Sequence, residues 1–201
     1  MSMHIDGKKI AEMYWAGQKI REAWYEGQRV FSGKPVEVMP PTPNWYDAQD
    51  WLRGRLTEYG ESYQTVKEIP FEIDTGESSN LDSMFRGCSS LTTVPDMDTS
   101  QVTNMLSMFD GCSSLTTAPV MDTSQATDMR SMFRDCSSLT TVPDMDTRNV
   151  TDASDMFRGC SSLTDGNVRL IGKRTGVSTV RMIQDSGLTR EPFYDSSGQP
   201  I

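Results

Sequence analysis

Met84-Phe85-Arg86-Gly87-Cys88-Ser89-Ser90-Leu91-Thr92-Thr93-Val94-Pro95-Asp96-Met97-Asp98-Thr99-Ser100-Gln101-Val102-Thr103-Asn104-Met105-Leu106-Ser107 is a unit of 24 residues that recurs along the chain. Cys88, Cys112, Cys136 and Cys160 stand 24 apart, and so do Phe85, Phe109, Phe133 and Phe157, each preceded by Met. Leu91, Leu115, Leu139 and Leu163 keep the same step. A fixed period of this length marks an architecture in which no unit can bury its own apolar face and stacking buries all of them. The copies decay at both ends, as terminal units must to close a core against water. Upstream, Ile73-Asp74-Thr75 matches Met97-Asp98-Thr99; downstream, Val177–Ile183 echoes the Thr-Ser-x-Val-Thr-x-Met run, and Ser186-Gly187-Leu188-Thr189 echoes Ser-Ser-Leu-Thr.

Within a unit, Leu-Thr-Thr-Val is a β-branched run closed by Pro and reads as a short strand. Asp98-Thr99-Ser100 and its copies read as a turn whose side-chain oxygens bond local amides. Thr103, Thr127 and Thr151 are placed to cap a helical turn. Met105, Met108 and Phe109 then fall at i, i+3 and i+4, one helix face, and Gly111 supplies a left-handed exit, with Asp135 in its place one copy on. The expected fold class is therefore α/β: a capped, leucine-rich-repeat-like solenoid with one short strand and one short helix per coil. Its core ladder is Cys88, Cys112, Cys136 and Cys160 beside Phe85, Phe109, Phe133 and Phe157.

The unit Met-Phe-x-Gly-Cys-Ser-Ser-Leu-Thr-Thr-Val-Pro resembles the repeats of BspA-like bacterial surface proteins, a divergent leucine-rich-repeat class, over about residues 69–190. That resemblance implies a surface or adhesion role without naming a ligand.

A second repeat opens the chain. Gly7, Gly17 and Gly27 are ten apart, and Asp6-Gly7, Ala16-Gly17 and Glu26-Gly27 each put Gly where a tight hairpin needs positive φ. Residues 1–32 read as a β-meander with large rings on both faces, too small to be stable alone. Tyr14, Trp15, Trp24 and Tyr25 are the candidate anchoring or oligomer-interface residues. The block resembles the Gly-Lys-Lys-Ile-x-x-x-Tyr repeats at the start of phage structural proteins, tail proteins above all. Residues 33–43 hold Pro35, Pro40, Pro41 and Pro43 and read as a stiff linker. Residues 44–68 read as a capping helix, with Ala48, Trp51, Leu52, Leu56 and Tyr59 on one side and Gly60 at its end. Residues 69–201 complete the solenoid and its degenerate cap.

Composition narrows the function. The net charge is −9, so nucleic acid is not an expected partner. No stretch is apolar and long enough to enter a membrane as a helix, and Met1–Gly7 has no apolar core of a signal peptide. His4 is the single histidine, so no Ser-His-Asp or Cys-His constellation forms in the repeats, and no enzyme, cofactor or resident metal is expected. A step of 24 between cysteines offers no zinc cage, so the thiols read as small hydrophobes. Asp74, Asp98, Asp122 and Asp146 form a column in which each carboxylate either bonds its own turn or helps hold calcium. Arg86, Arg134 and Arg158, with Asp110, read as solvated helix ends. Thr92, Thr116 and Thr140, each with the threonine after it, form a stripe with one member of each pair outward; it is the candidate ligand-facing surface.

Together these readings, with the two resemblances, imply a non-enzymatic phage virion protein, a minor tail or decoration protein. Its N-terminal segment would join other virion proteins, and its stripe would meet a host-surface glycan or protein. A homo-oligomer is expected, with a trimer preferred. The alternative is a bacterial cell-surface adhesin or interaction module.

Overall fold

The computed structural model describes the strands β1 (Met13–Trp15), β2 (Gln18–Ile20), β3 (Ala23–Tyr25), β4 (Gln28–Phe31) and β5 (Val36–Val38), and residues 48–201 except Glu77 and Arg174. The remaining elements are α1 (Ala48–Glu58), β6 (Glu72–Asp74), β7 (Met145–Asp146), β8 (Leu170–Ile171) and β9 (Phe193–Tyr194).

The first strands form two antiparallel pairs, β1 with β2 and β3 with β4. β2 pairs antiparallel with β5, which runs parallel to β6 in the register Val36↔Glu72, Glu37↔Ile73, Val38↔Asp74. The Pro-rich stretch thus contributes a strand beside the first repeat-like unit. The side chains of Tyr14, Trp15, Trp24 and Tyr25, like residues 1–12, 16–17, 21–22, 26–27, 32–35 and 39–47, lie outside the described residues.

α1 buries Ala48, Trp51, Leu52 and Leu56, and the chain leaves it through Gly60 at φ 75°. Gln49 and Tyr63 tie this end to the first full unit. Tyr63 Oη donates to the Met84 carbonyl at 2.9 Å, and Gln49 Nε2 donates to Tyr63 Oη at 2.9 Å and to the Arg86 carbonyl at 2.8 Å.

The repeats stack in register, but not as strand-plus-helix coils, and the expected leucine-rich-repeat fold class is wrong. α1 is the one helix among the described residues, and residues 72–201 carry only β6 and the short three-stranded parallel sheet β7-β8-β9. The backbone shows why. Each unit holds two left-handed residues, one in the column Ser83, Ser107, Ser131, Asp155, Arg181 and one in the column Gly87, Gly111, Asp135, Gly159, Asp185. Ser107, at φ 52°, lies between Met105 and Met108, where a right-handed helix would have to continue. Alternate amides then leave the unit: Met105, Ser107, Phe109 and Gly111 donate to the carbonyls of Asp128, Arg130, Met132 and Arg134. Those between close tight turns, Met108 onto Met105 and Asp110 onto Ser107. The i, i+3, i+4 spacing of Met105, Met108 and Phe109 is met by consecutive turns that point all three inward.

Leu-Thr-Thr-Val forms no ladder either. Turns close at the leucines, Leu115 onto Cys112, and proline removes an amide at Pro119, so one bridge fits between them, Thr117↔Thr141. Thr103, Thr127 and Thr151 cap no helix. Their hydroxyls donate to Ser79, Thr103 and Thr127, the carbonyls of the preceding unit.

The core is a set of columns. Phe85, Phe109, Phe133 and Phe157 stack with centroids 5.3, 5.4 and 5.8 Å apart and planes within 5° of parallel, inside the range of favourable ring contacts. Thr75, Thr99, Thr123 and Thr147 form a buried polar column, each hydroxyl donating to a backbone carbonyl of the next unit.

Candidate functional site

Thr92, Thr93, Thr116, Thr117, Thr140 and Thr141 are all exposed, so both members of each pair face solvent rather than one. The segment is not a pleated strand, and the alternation that a strand would impose is lost. With Ser89-Ser90, Ser113-Ser114 and Ser137-Ser138 they make a face three units long that contains no charged residue, in a chain of which 23% is charged. Several of its hydroxyls are fixed. Thr92 Oγ1 donates to the Lys67 carbonyl and Thr140 Oγ1 to the Thr116 carbonyl, both at 3.0 Å, and Ser113 Oγ donates to Ser89 at 3.2 Å. Spending the O–H on the neighbouring unit leaves each oxygen as an acceptor. At one end of the face, Thr93 and Val94-Pro95-Asp96 line a groove of about 580 Å³ with Glu68, Ile69 and Glu72.

The aspartates form a second feature. In Asp74, Asp98, Asp122 and Asp146, Oδ1 accepts the amide two residues on, from Gly76, Ser100, Ser124 and Arg148 at 2.9–3.0 Å. The column closes turns. A parallel column, Asn80, Asn104, Asp128 and Asp152, accepts the amides of Asp82, Leu106, Arg130 and Ser154 in the same way. Sequence reasoning missed it, although its signal, an Asn or Asp at a step of 24, was present. These bonds hold carboxyls below their usual range: Asp98 and Asp122 through the amides and hydroxyls of Ser100 and Ser124, and Asp146 through the Arg148 guanidinium and amide. A depressed folded-state value gives stability that is present above the unfolded value, about 3.9, and is lost as pH falls through the folded one. The melting temperature is accordingly expected to fall from about pH 4 downward. Asp98→Asn, which keeps the acceptor but cannot titrate, should flatten that slope; an unchanged slope counts against the turn bonds as its source.

The arginines are not solvated helix ends. Asp110, its side chain only 6% exposed, is held by Arg86 Nε at 3.1 Å from one side and by both ends of Arg134 at 2.9 and 2.6 Å from the other. Asp155 accepts Arg181 at 2.8 Å in a similar clip, and Arg158 lies 3.8 Å from it. The pairs of Asp110 with Arg86 and Arg134, and of Asp155 with Arg181, set charge register between neighbouring units.

The cysteines are buried and free. Cys112, Cys136 and Cys160 donate Sγ–H to the carbonyls of Phe85, Phe109 and Phe133 at 2.9–3.1 Å. Burial pushes Cys88 and Cys160 up to about 12, and Cys112 and Cys136 upward as well. Such thiols are neither nucleophiles nor ligands at neutral pH. Among the described residues, no His, Cys, Asp and Glu cluster has metal-holding geometry, and no helix is long and apolar enough to cross a membrane.

Residues 62–184 match the family described as Mycoplasma protein of unknown function, DUF285. No curated protein and no solved structure matches the chain. The resemblances to BspA-like leucine-rich repeats and to phage tail proteins therefore do not hold. The matched family is a different one, and among the described residues the coil of strand and helix that the leucine-rich reading required is absent. The reading as a virion protein, or as a surface adhesin, displaying such a solenoid falls with them.

Proposed function

The chain belongs to the DUF285 family across residues 62–184, and from that premise we propose that its stacked units form a non-catalytic domain whose hydroxyl face contacts an extended, uncharged polysaccharide. The observation that carries this is the charge-free face over three units, made of six exposed threonines with exposed or half-buried serines beside them. Residues repeated at a step of 24 suit a polymer of sugar hydroxyls, and the hydroxyls already ordered, those of Thr92, Ser113 and Thr140, lose little freedom on binding. The flanking Glu68, Glu72 and Asp96, with the net charge of −9, disfavour an anionic polymer. The non-catalytic reading is supported by where many reactive groups are spent: the hydroxyls of Thr75, Thr99, Thr123 and Thr147 on backbone carbonyls, Asp74, Asp98, Asp122 and Asp146 on turn amides, and the thiols held neutral.

The test is co-sedimentation with microcrystalline cellulose and with chitin. The chain should bind one of them with an affinity insensitive to salt, since no ion pair is involved. Thr116→Lys with Thr140→Lys, at exposed positions where the fold tolerates charge, should weaken binding at least about tenfold, equivalent to about 1.4 kcal/mol. Failure to bind either polymer, or equal binding by the double variant, overturns the proposal.

A further inference from the structure

β9 is the outermost strand of the parallel sheet β7-β8-β9. Leu170 and Gly172 donate from the β8 side to the carbonyls of Pro192 and Tyr194 at 2.9 and 2.7 Å. By the alternation of a strand, the backbone groups of Phe193 and Asp195 face the other way, where a further unit would pair. Both residues are engaged there by the chain itself. Ile201 donates to the Phe193 carbonyl at 3.1 Å, and Asp195 donates to the Gln199 carbonyl at 2.8 Å, around the antiparallel bridge Tyr194↔Pro200.

The fold-back is locally specified. Asp195 Oδ1 accepts the Ser197 amide and hydroxyl at 2.8 and 2.7 Å and the Gln199 amide at 2.9 Å. Gly198 sits at φ 81°, and a Cβ there would lie 2.9 Å from Arg169 Nη2. Since Gln199 and Ile201 face β9, the residue facing outward is Pro200, which has no N–H. The new outer edge offers a carbonyl and no donor, a device that prevents strand addition.

We infer that residues 195–201 are an edge-blocking strap that keeps β9 from pairing with a second copy of this chain. The strap runs antiparallel to β9, so the edge accepts an antiparallel partner. Two freed β9 edges meeting across a two-fold axis are antiparallel by symmetry and close on themselves. Lifting the strap therefore creates a closed pair rather than a filament.

Light scattering over a concentration series tests this on the full chain, on a variant lacking residues 196–201, and on Gly198→Val, which keeps the chain length but cannot hold the turn. Both variants should reach about twice the mass of the full chain as concentration rises, whatever number of copies the full chain itself adopts. Hydrogen exchange at the Asp195 amide reports whether the strap has lifted in Gly198→Val, which also decides the matter if the deletion does not fold. A lifted strap with unchanged mass overturns the inference, and so does growth into open polymers.

Discussion

Phe109→Ala is expected to destabilise the domain by about 3–5 kcal/mol, the range for truncating a buried aromatic ring. Phe109 is fully buried, with Phe85 at 5.3 Å on one face and Phe133 at 5.4 Å on the other. Truncation leaves a void flanked by two rings, and neither ring can move in without pulling its backbone out of register. The amide of Phe109 is bonded to Met132 and its carbonyl to Cys136 Sγ. Phe157 provides the control. It is equally buried but has one ring neighbour in the column, Phe133 at 5.8 Å. If ring stacking contributes beyond burial, Phe157→Ala should cost less than Phe109→Ala by about 0.5–1.5 kcal/mol, the value of one aromatic pair. Denaturant midpoints at constant slope measure both. Equal costs would mean that the rings stabilise by burial alone. In a stack whose units touch only their neighbours, an interior substitution weakens two interfaces at once, which pushes Phe109→Ala toward the upper end.

The columns were legible in the sequence; the conformation of the backbone that carries them was not. A step of 24 identifies which residues lie above one another, and the Phe, Cys, Leu and Asp columns stand at that step. The spacing Ala48, Trp51, Leu52, Leu56 likewise marks the buried face of α1, but Tyr59, expected on the same side, lies beyond the end of the helix and is exposed. Spacing alone cannot separate a helix from consecutive turns, because Met105, Met108 and Phe109 point inward in both. The discriminating residue is Ser107. Serine at φ 52° is uncommon, and nothing in its identity announces a left-handed position, whereas Gly111 does announce one. The threonines misled in the same way. Thr92-Thr93 has strand composition, but the turn before it and the proline after it leave room for a single bridge, so both side chains reach solvent. Asp110, grouped with the arginines of its column, reads as a solvated helix end, yet the alternation of Arg86, Asp110 and Arg134 is itself the signal of a clip.

The largest effect expected of any condition is alkaline unfolding, and it follows from the cysteine column. An unfolded thiol ionises near 8.5. In the folded chain Cys88 and Cys160 are pushed up to about 12 by burial, and Cys112 and Cys136 move in the same direction. A raised folded-state value contributes stability that is complete below the unfolded value and is lost as pH rises through the folded one. Above pH 8.5 the unfolded chain releases thiol protons that the folded chain retains, so stability falls with each added pH unit. At pH 10 the loss is about 2 kcal/mol per thiol, of order 8 kcal/mol for the column. That is comparable to the whole stability of an ordinary domain, about 5–15 kcal/mol. The domain should therefore unfold cooperatively near pH 10, before most lysines titrate. Each Cys→Ala substitution should reduce the steepness by about one proton while costing some packing at neutral pH. Urea melts at pH 7, 8.5, 9.5 and 10, with reductant present to exclude oxidation, measure both quantities. A stability that is flat from pH 8.5 to 10 would mean that the thiols reach solvent in the folded chain, and the buried column bonded to Phe85, Phe109 and Phe133 would not stand.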